Sequence, residues 1–217
     1  MDLTQFSPSS ALITVVLLAL APFVAVMVTS FTKLVVVFSL LRNALGLQQV
    51  PPNVVLNGLA LVLTLYVMYP VGLEMSAKLQ NISNIGANTQ SMLKAADAAK
   101  EPLREFLVKH SRPAERAFFL KTAQRSLTPE QAASLSERDF LVVVPAFTVS
   151  ELAIAFEIGF LIFLPFLVID LVISNILMAM GMMMLSPTTV SMPFKLLLFV
   201  LIDGWVKLTH GLIQTYL

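Results

Sequence analysis

The stretch "PAFTVSELAIAFEIGFLIFLPFLVIDLVISNILMAMGMMMLSP", Pro145 to Pro187, is apolar almost throughout, yet it carries Glu151, Glu157 and Asp170. About 20 helical residues cross a hydrocarbon core about 30 Å thick, and this run is roughly twice that long. An acid at the centre of a span costs about 2.5–3.5 kcal/mol on insertion scales. Either the three acids mark interfacial ends of ordinary spans, or they face protein or water. The cost favours protein or water.

The rest of the chain agrees with a membrane setting. Of its 217 residues 57% are hydrophobic and 12% charged, with a mean hydropathy of +0.85, far above an ordinary soluble domain. Apolar blocks at about 11–41, 54–73, 140–185 and 194–217 flank a polar interval, 75–139, that holds most of the charges. The pattern predicts an all-α membrane protein of kinked helical hairpins with a helical polar insert. Residues 1–74 form an N-terminal hydrophobic hairpin, 75–139 a polar domain, and 140–217 a C-terminal hydrophobic hairpin with a Met-rich loop.

Local signals place the turns. In "RNALGLQQVPPN", Gly46 and Pro51-Pro52 end one helix and restart another. The first block is too long for one untilted span, and Pro22 inside it predicts a kink. In "LTPEQ", Thr128 is the N-cap and Pro129 the first helical residue, while "SERDF", Ser136 to Phe140, caps the next helix. Before Ala11 the one charge is Asp2; a secretory leader needs a basic start, so the first apolar run is expected to be retained. Arg42 and Lys195 stand in or beside the short turns without acidic companions. Those turns are therefore expected on the cytoplasmic side, with the polar interval outside.

Several functions are excluded by composition. A net charge of +1 gives no basic surface for nucleic acid. With no cysteine, and no HExxH, GxSxG or glycine-rich phosphate loop, no catalytic or metal site is predicted, and no cofactor. His110 and His210 have no companions that suggest a relay.

The acids need partners. A turn centred near Pro187 to Val190 sets Lys195 opposite the region around Gly181, where no acid stands. Glu151 and Glu157 lie on the order of 30 Å or more further back along a continuous helix. A Lys195 pair with either of them therefore requires a broken third block or a neighbouring subunit; the neighbour is favoured, and spacing does not choose between the two acids. Ser150, Ala153, Ala155 and Gly159 add small residues that let backbones approach. Asp203, before Gly204-Trp205, reads equally as an interface anchor and as a subunit contact. A rival reading makes Glu151, Glu157 and Asp170 the ion path of a proton-coupled channel or carrier, but matching halves with interrupted segments are missing.

Met182, Met183 and Met184 follow Gly181 and precede Pro187. Three consecutive side chains cannot share one helix face, so a loop is predicted, hinged by Gly181 and Pro187. Core packing is the usual role of methionine, and it suits Met178 and Met180 better than these three.

The segments Pro145 to Pro187 and "MPFKLLLFVLIDGW", Met192 to Trp205, resemble the two signature regions of the FliP/SctR/YscR family. These are R-type core proteins of the type III secretion export apparatus, and the injectisome branch fits better than the flagellar one. The resemblance implies an inner-membrane, multi-pass subunit of a helical pore complex that projects to the periplasmic side. Five copies would join S-type and T-type proteins, with U-type and V-type components nearby and unfolded secreted proteins as cargo. It also implies that Met182, Met183 and Met184 form a gasket across the pore. Glu151, Glu157, Lys195 and Asp203 would then contact protein between subunits.

Overall fold

The structure, a computed structural model, describes residues 15, 19–20, 22–23, 25–80, 89–182 and 184–217, without the side chains of 89–96 and 98. Helices and turns make up the described residues, with no strand among them. The helices are α1 (Phe31–Ala44), α2 (Asn53–Gln80), α3 (Thr89–His110), α4 (Pro113–Ser126), α5 (Pro129–Ser134), α6 (Phe140–Ala179), α7 (Pro187–Leu201) and α8 (Gly204–Gln214). The chain is a helical membrane protein.

The scaffold is α6, whose 40 residues make it about 60 Å long. Pro145 and Pro165 lie inside it without ending it. Along one side runs α1, parallel to it: Lys33 meets Glu151, Leu40 lies on Gly159, and Leu41 and Ala44 share a core with Phe166. A Cβ on Gly159 would sit 2.2 Å from Leu40 Cδ1 and 3.1 Å from its Cβ, so the missing side chain is what allows α1 to approach so closely. Ser150 and Ala155 are buried, and Ala155 lies among Leu34, Val37 and Phe38 of α1. Small residues that the sequence assigned to a subunit boundary are thus used within the chain.

The two hairpin turns share one backbone device. After α1, Gly46 takes φ +77°, its N–H donates to Asn43 O (3.0 Å) and the Leu47 N–H to Arg42 O (3.2 Å). After α6, Gly181 takes φ +72°, its N–H donates to Met178 O (3.0 Å) and the Met182 N–H to Leu177 O (2.9 Å). Both are Schellman closures, which satisfy terminal carbonyls and favour glycine at the left-handed residue. Arg42 ties the first hairpin by donating to Asn53 Oδ1 (2.6 Å) and to Pro51 O (3.3 Å).

Among the described residues, the core cluster that includes the polar interval also draws on the helices that flank it. Phe106 and Leu107 of α3 pack with Val143 and Phe147 of α6 and with Tyr216, and α2 runs without a break past residue 74 to Gln80. Thr128 is the N-cap of α5, with Pro at its start. For α6 the N-cap is Asp139, whose carboxylate accepts from the Ser136 N–H (2.6 Å).

Two irregularities differ from the sequence reading. In the first block the helix breaks at 28–30, while Pro22 is itself helical. Hydroxyls make the break tolerable: Thr29 Oγ1 donates to Ala25 O (2.6 Å) and Thr32 Oγ1 to Val26 O (2.8 Å), satisfying carbonyls that the helix has released. The last apolar block bends by 61° between α7 and α8. Asp203 turns the corner at φ 51°, and a Cβ on Gly204 would lie 2.1 Å from Phe199 Cε2.

Two described helices, Asn53–Gln80 and Phe140–Ala179, are long and apolar enough to cross a membrane, and the bent pair α7 and α8 adds a third candidate. Much apolar surface remains uncovered on them, including Leu65, Tyr66 and Tyr69 on α2 and Phe156, Phe160 and Val168 on α6. A patch of that extent belongs against lipid or other protein chains.

Candidate functional site

Three ion pairs organise the acids of α6, and each is made within the chain. Nearest the N-terminal end, Lys33 Nζ stands 3.3 Å from Glu151 Oε1, both side chains at most 2% exposed. The Tyr216 hydroxyl donates to the other oxygen of Glu151, and the Tyr216 ring lies 3.6 Å from Lys33 Nζ. This cluster joins α1, α6 and the segment after α8. A buried charge survives only when paired and hydrogen-bonded, and here both carboxylate oxygens have donors.

About two turns further along, Glu157 Oε1 accepts from Arg112 Nη2 at 2.7 Å, with both side chains exposed (41% and 64%). The Arg112 backbone N–H donates to Ser150 Oγ (2.9 Å), which pins the α3–α4 turn against α6. Arg116 braces the same turn by donating to Val108 O (3.0 Å) and Ser111 O (2.6 Å).

Nearest the Met-rich turn, Asp170 Oδ2 accepts from Lys195 Nζ at 2.7 Å, and the buried Ser191 hydroxyl donates to its Oδ1. Lys195 also donates to Ala44 O (3.1 Å), a carbonyl in the last turn of α1. Such carbonyls lack intrahelical partners and sit at the negative pole of the helix. One ammonium therefore closes α7 onto α6 and onto the end of α1.

Lys195, expected to pair with Glu151 or Glu157 of a neighbouring subunit, is bonded within its own chain to Asp170. The position of the turn accounts for the difference. The helices break between Ala179 and Pro187, not at Pro187 to Val190, so antiparallel register sets Lys195 opposite Asp170 rather than opposite Gly181. Glu151 and Glu157 find bases from α1 and from the α3–α4 turn, which no spacing within α6 and α7 could reveal. Asp203, the fourth residue expected at a subunit contact, has no ion pair among the described residues. It lines an apolar cleft with Leu47, Val55, Leu59 and Trp205.

The Met-rich turn is the second part of the site. Met184 is fully exposed (101%) and Met182 partly so (42%), while Met183 lies outside the described residues. Pro187 occupies the first turn of α7, and the Leu185 N–H donates to Met182 O (3.3 Å). Met178 and Met180, which suited core packing, are instead exposed on the last turn of α6. Their neighbour Leu177 is the buried residue of that turn.

Tyr216, Arg112 and Ser191 were missed by the sequence reading. Ser191 had a signal, since it stands four residues before Lys195 and so shares its face of α7. Beside the Tyr216 cluster, His110 packs its ring on Phe106 and Tyr216. Burial first, then the charges of Lys109 and Lys33, lower its pKa to about 4, so the imidazole is neutral at pH 7. Among the described residues no group of three His, Asp or Glu could hold a metal ion.

The FliP family model matches residues 13–212. The Yop proteins translocation protein R of Yersinia pestis is 57% identical over 201 residues, covering 92% of each chain. The hypersensitivity response secretion protein HrcR of Ralstonia nicotianae is 52% identical over 210 residues, 96% of this chain and 97% of that one. The flagellar biosynthetic protein FliP of Bacillus subtilis is 43% identical over 198 residues, 91% of this chain and 87% of that one. With its helices, its charged positions and its methionine turn described and similarity extending over nearly its whole length, the chain belongs to the FliP family.

Proposed function

We propose that the chain is a core subunit of a type III secretion export gate and that its α6–α7 turn forms part of a gasket around exported protein. The observation that carries the reading is the turn itself: a hairpin tip bearing Met184 and Met182 exposed, in a chain whose relatives are named for secretion and translocation. In this reading five copies assemble with S-type and T-type proteins, beside U-type and V-type components, in the bacterial inner membrane. The assembly projects towards the periplasm and encloses a channel for unfolded protein. Asp203, on its apolar cleft, is the charged residue retained for a subunit contact.

The chemistry suits the task. A protein-conducting channel has to pass every kind of side chain and bind none strongly. Unbranched, polarizable thioethers re-pack around varied shapes, and an apolar ring without cargo excludes water and ions by dewetting. A proton-coupled carrier is the weaker reading. Glu151, Glu157 and Asp170 each have a base of their own, and the last two stand about 20 Å apart along α6.

The test is replacement of Met182, Met183 and Met184 by alanine in the assembled apparatus. The complex is expected to form at normal yield while the cells become leaky to ions and small solutes. Unchanged conductance with normal assembly contradicts the gasket.

A further inference from the structure

We propose that the recess between α1, the α3–α4 turn and α6, together with the adjoining cleft between α2 and α3, binds one anionic phospholipid. Its phosphate is held by Lys109 and Arg112, and an acyl chain lies against α2. The recess, about 310 Å³, is lined by Lys33, Lys109, His110, Arg112 and Glu151 among others. Three permanent cations face one carboxylate there. Lys33 and Glu151 cancel each other. Lys109 Nζ makes an exposed hydrogen bond to Leu217 O (3.3 Å), with no carboxylate paired to it among the described ion pairs, which leaves Lys109 and Arg112 as the cations open to an anion. Arg112 is only partly engaged, because its pair with Glu157 is solvent-exposed and such pairs hold weakly.

The cleft argues for a lipid rather than for a free anion. It measures about 590 Å³ and shares Lys109 and His110 with the recess, and its wall includes Val67, Pro70, Val71 and Phe106. That wall belongs partly to α2, a helix long and apolar enough to cross a membrane, with Tyr66 and Tyr69 exposed at the cleft. Tyrosines of this kind mark the level of lipid headgroups, and basic pockets between membrane helices hold phosphate headgroups. Glu74 and Glu105 also line the cleft; they repel a phosphate and confine it to the recess, leaving the cleft to hydrocarbon.

His110 offers a local readout. It lines both cavities, whose charged and titratable walls include Lys33 of α1, Glu74 of α2, Glu105 and Lys109 of α3, Arg112, Glu151 of α6 and Tyr216, and its ring packs on Tyr216. The positive charges of Lys109 and Lys33 help hold its pKa near 4, and a bound phosphate offsets them, so its pKa rises on binding.

The experiment uses the full chain in non-ionic detergent, stripped of lipid and titrated with phosphatidylglycerol, phosphatidylcholine or inorganic phosphate. Native mass spectrometry counts bound lipid, and NMR follows His110. One phosphatidylglycerol per chain is expected, with His110 titrating at higher pH once it is bound. K109Q and R112Q each weaken binding about fivefold. E157Q breaks the Arg112 pair but keeps the guanidinium charge, and it leaves binding unchanged or tighter. Equal binding of phosphatidylcholine, or binding indifferent to both K109Q and R112Q, overturns the proposal. If inorganic phosphate alone moves His110 as far as phosphatidylglycerol does, the site belongs to a free anion and the lipid is wrong. The comparison of lipids on the unaltered chain decides the matter even where a variant folds poorly.

Discussion

Glu151 and Glu157 stand about two turns apart on one helix, each opposite a base, yet only one of the pairs holds the fold together. The Lys33–Glu151 pair is sealed at 1–2% exposure and closed by the Tyr216 hydroxyl. The Arg112–Glu157 pair has a shorter distance, 2.7 Å against 3.3 Å, but lies in solvent. Distance alone would rank them the wrong way. What separates them is the environment of the charge left behind when one partner is removed. A sealed ammonium without its carboxylate keeps the full desolvation penalty, whereas an exposed guanidinium is simply hydrated.

The comparison breaks most visibly at Glu151. Replacement by leucine leaves Lys33 buried and unpaired, and should lower stability by about 3–5 kcal/mol, read as loss of the folded chain in detergent melting. A next, smaller effect is pH-dependent and comes from His110, outside the spans. Its folded pKa of about 4 lies below the ordinary imidazole value of 6.5. Above pH 6.5 both states are neutral and the contribution is fully present. As pH falls from 6.5 towards 4 the unfolded chain takes up a proton that the folded chain refuses, so stability declines, and it levels off below 4. H110Q should flatten that part of the melting curve between pH 4 and 6.5, and an unchanged slope contradicts the assignment. The smallest effect is at Glu157: E157Q should shift stability by less than about 1 kcal/mol, and high salt should erase even that. A loss as large as that of the Glu151 variant would show that exposure does not separate the pairs.

Parts of this arrangement were legible in the sequence and parts were not. Both hairpin turns were announced by glycines, Gly46 and Gly181, because a Schellman closure favours a residue free to adopt positive φ. The Thr128-Pro129 start of α5 was equally plain. The Asp170–Lys195 pair was within reach, since the two are neighbours by antiparallel register, but it was lost by centring the turn a few residues too late. The Lys33–Glu151 pair was out of reach: its members are 118 positions apart, on helices that lie parallel, so no hairpin fixes their register. The corner at Asp203 was hidden for a different reason. Its mark was a single Asp-Gly pair inside an apolar block long enough to read as one span, and the close packing of Gly204 under Phe199 is visible only in the fold.

The comparison also separates what the chain does for itself from what it leaves to its assembly. Its buried charges are answered by its own residues, while thioethers at the hairpin tip and apolar faces on α2 and α6 remain open. The most direct measurement is a charge exchange read by protein secretion in cells. K33E and E151K, each alone, should abolish secretion, and the two together in one chain should restore most of it. Co-expression of the two single variants as separate chains should restore nothing. Rescue by the separate chains, with none from the double exchange in one chain, would contradict the account and place the Lys33–Glu151 contact at a boundary between subunits.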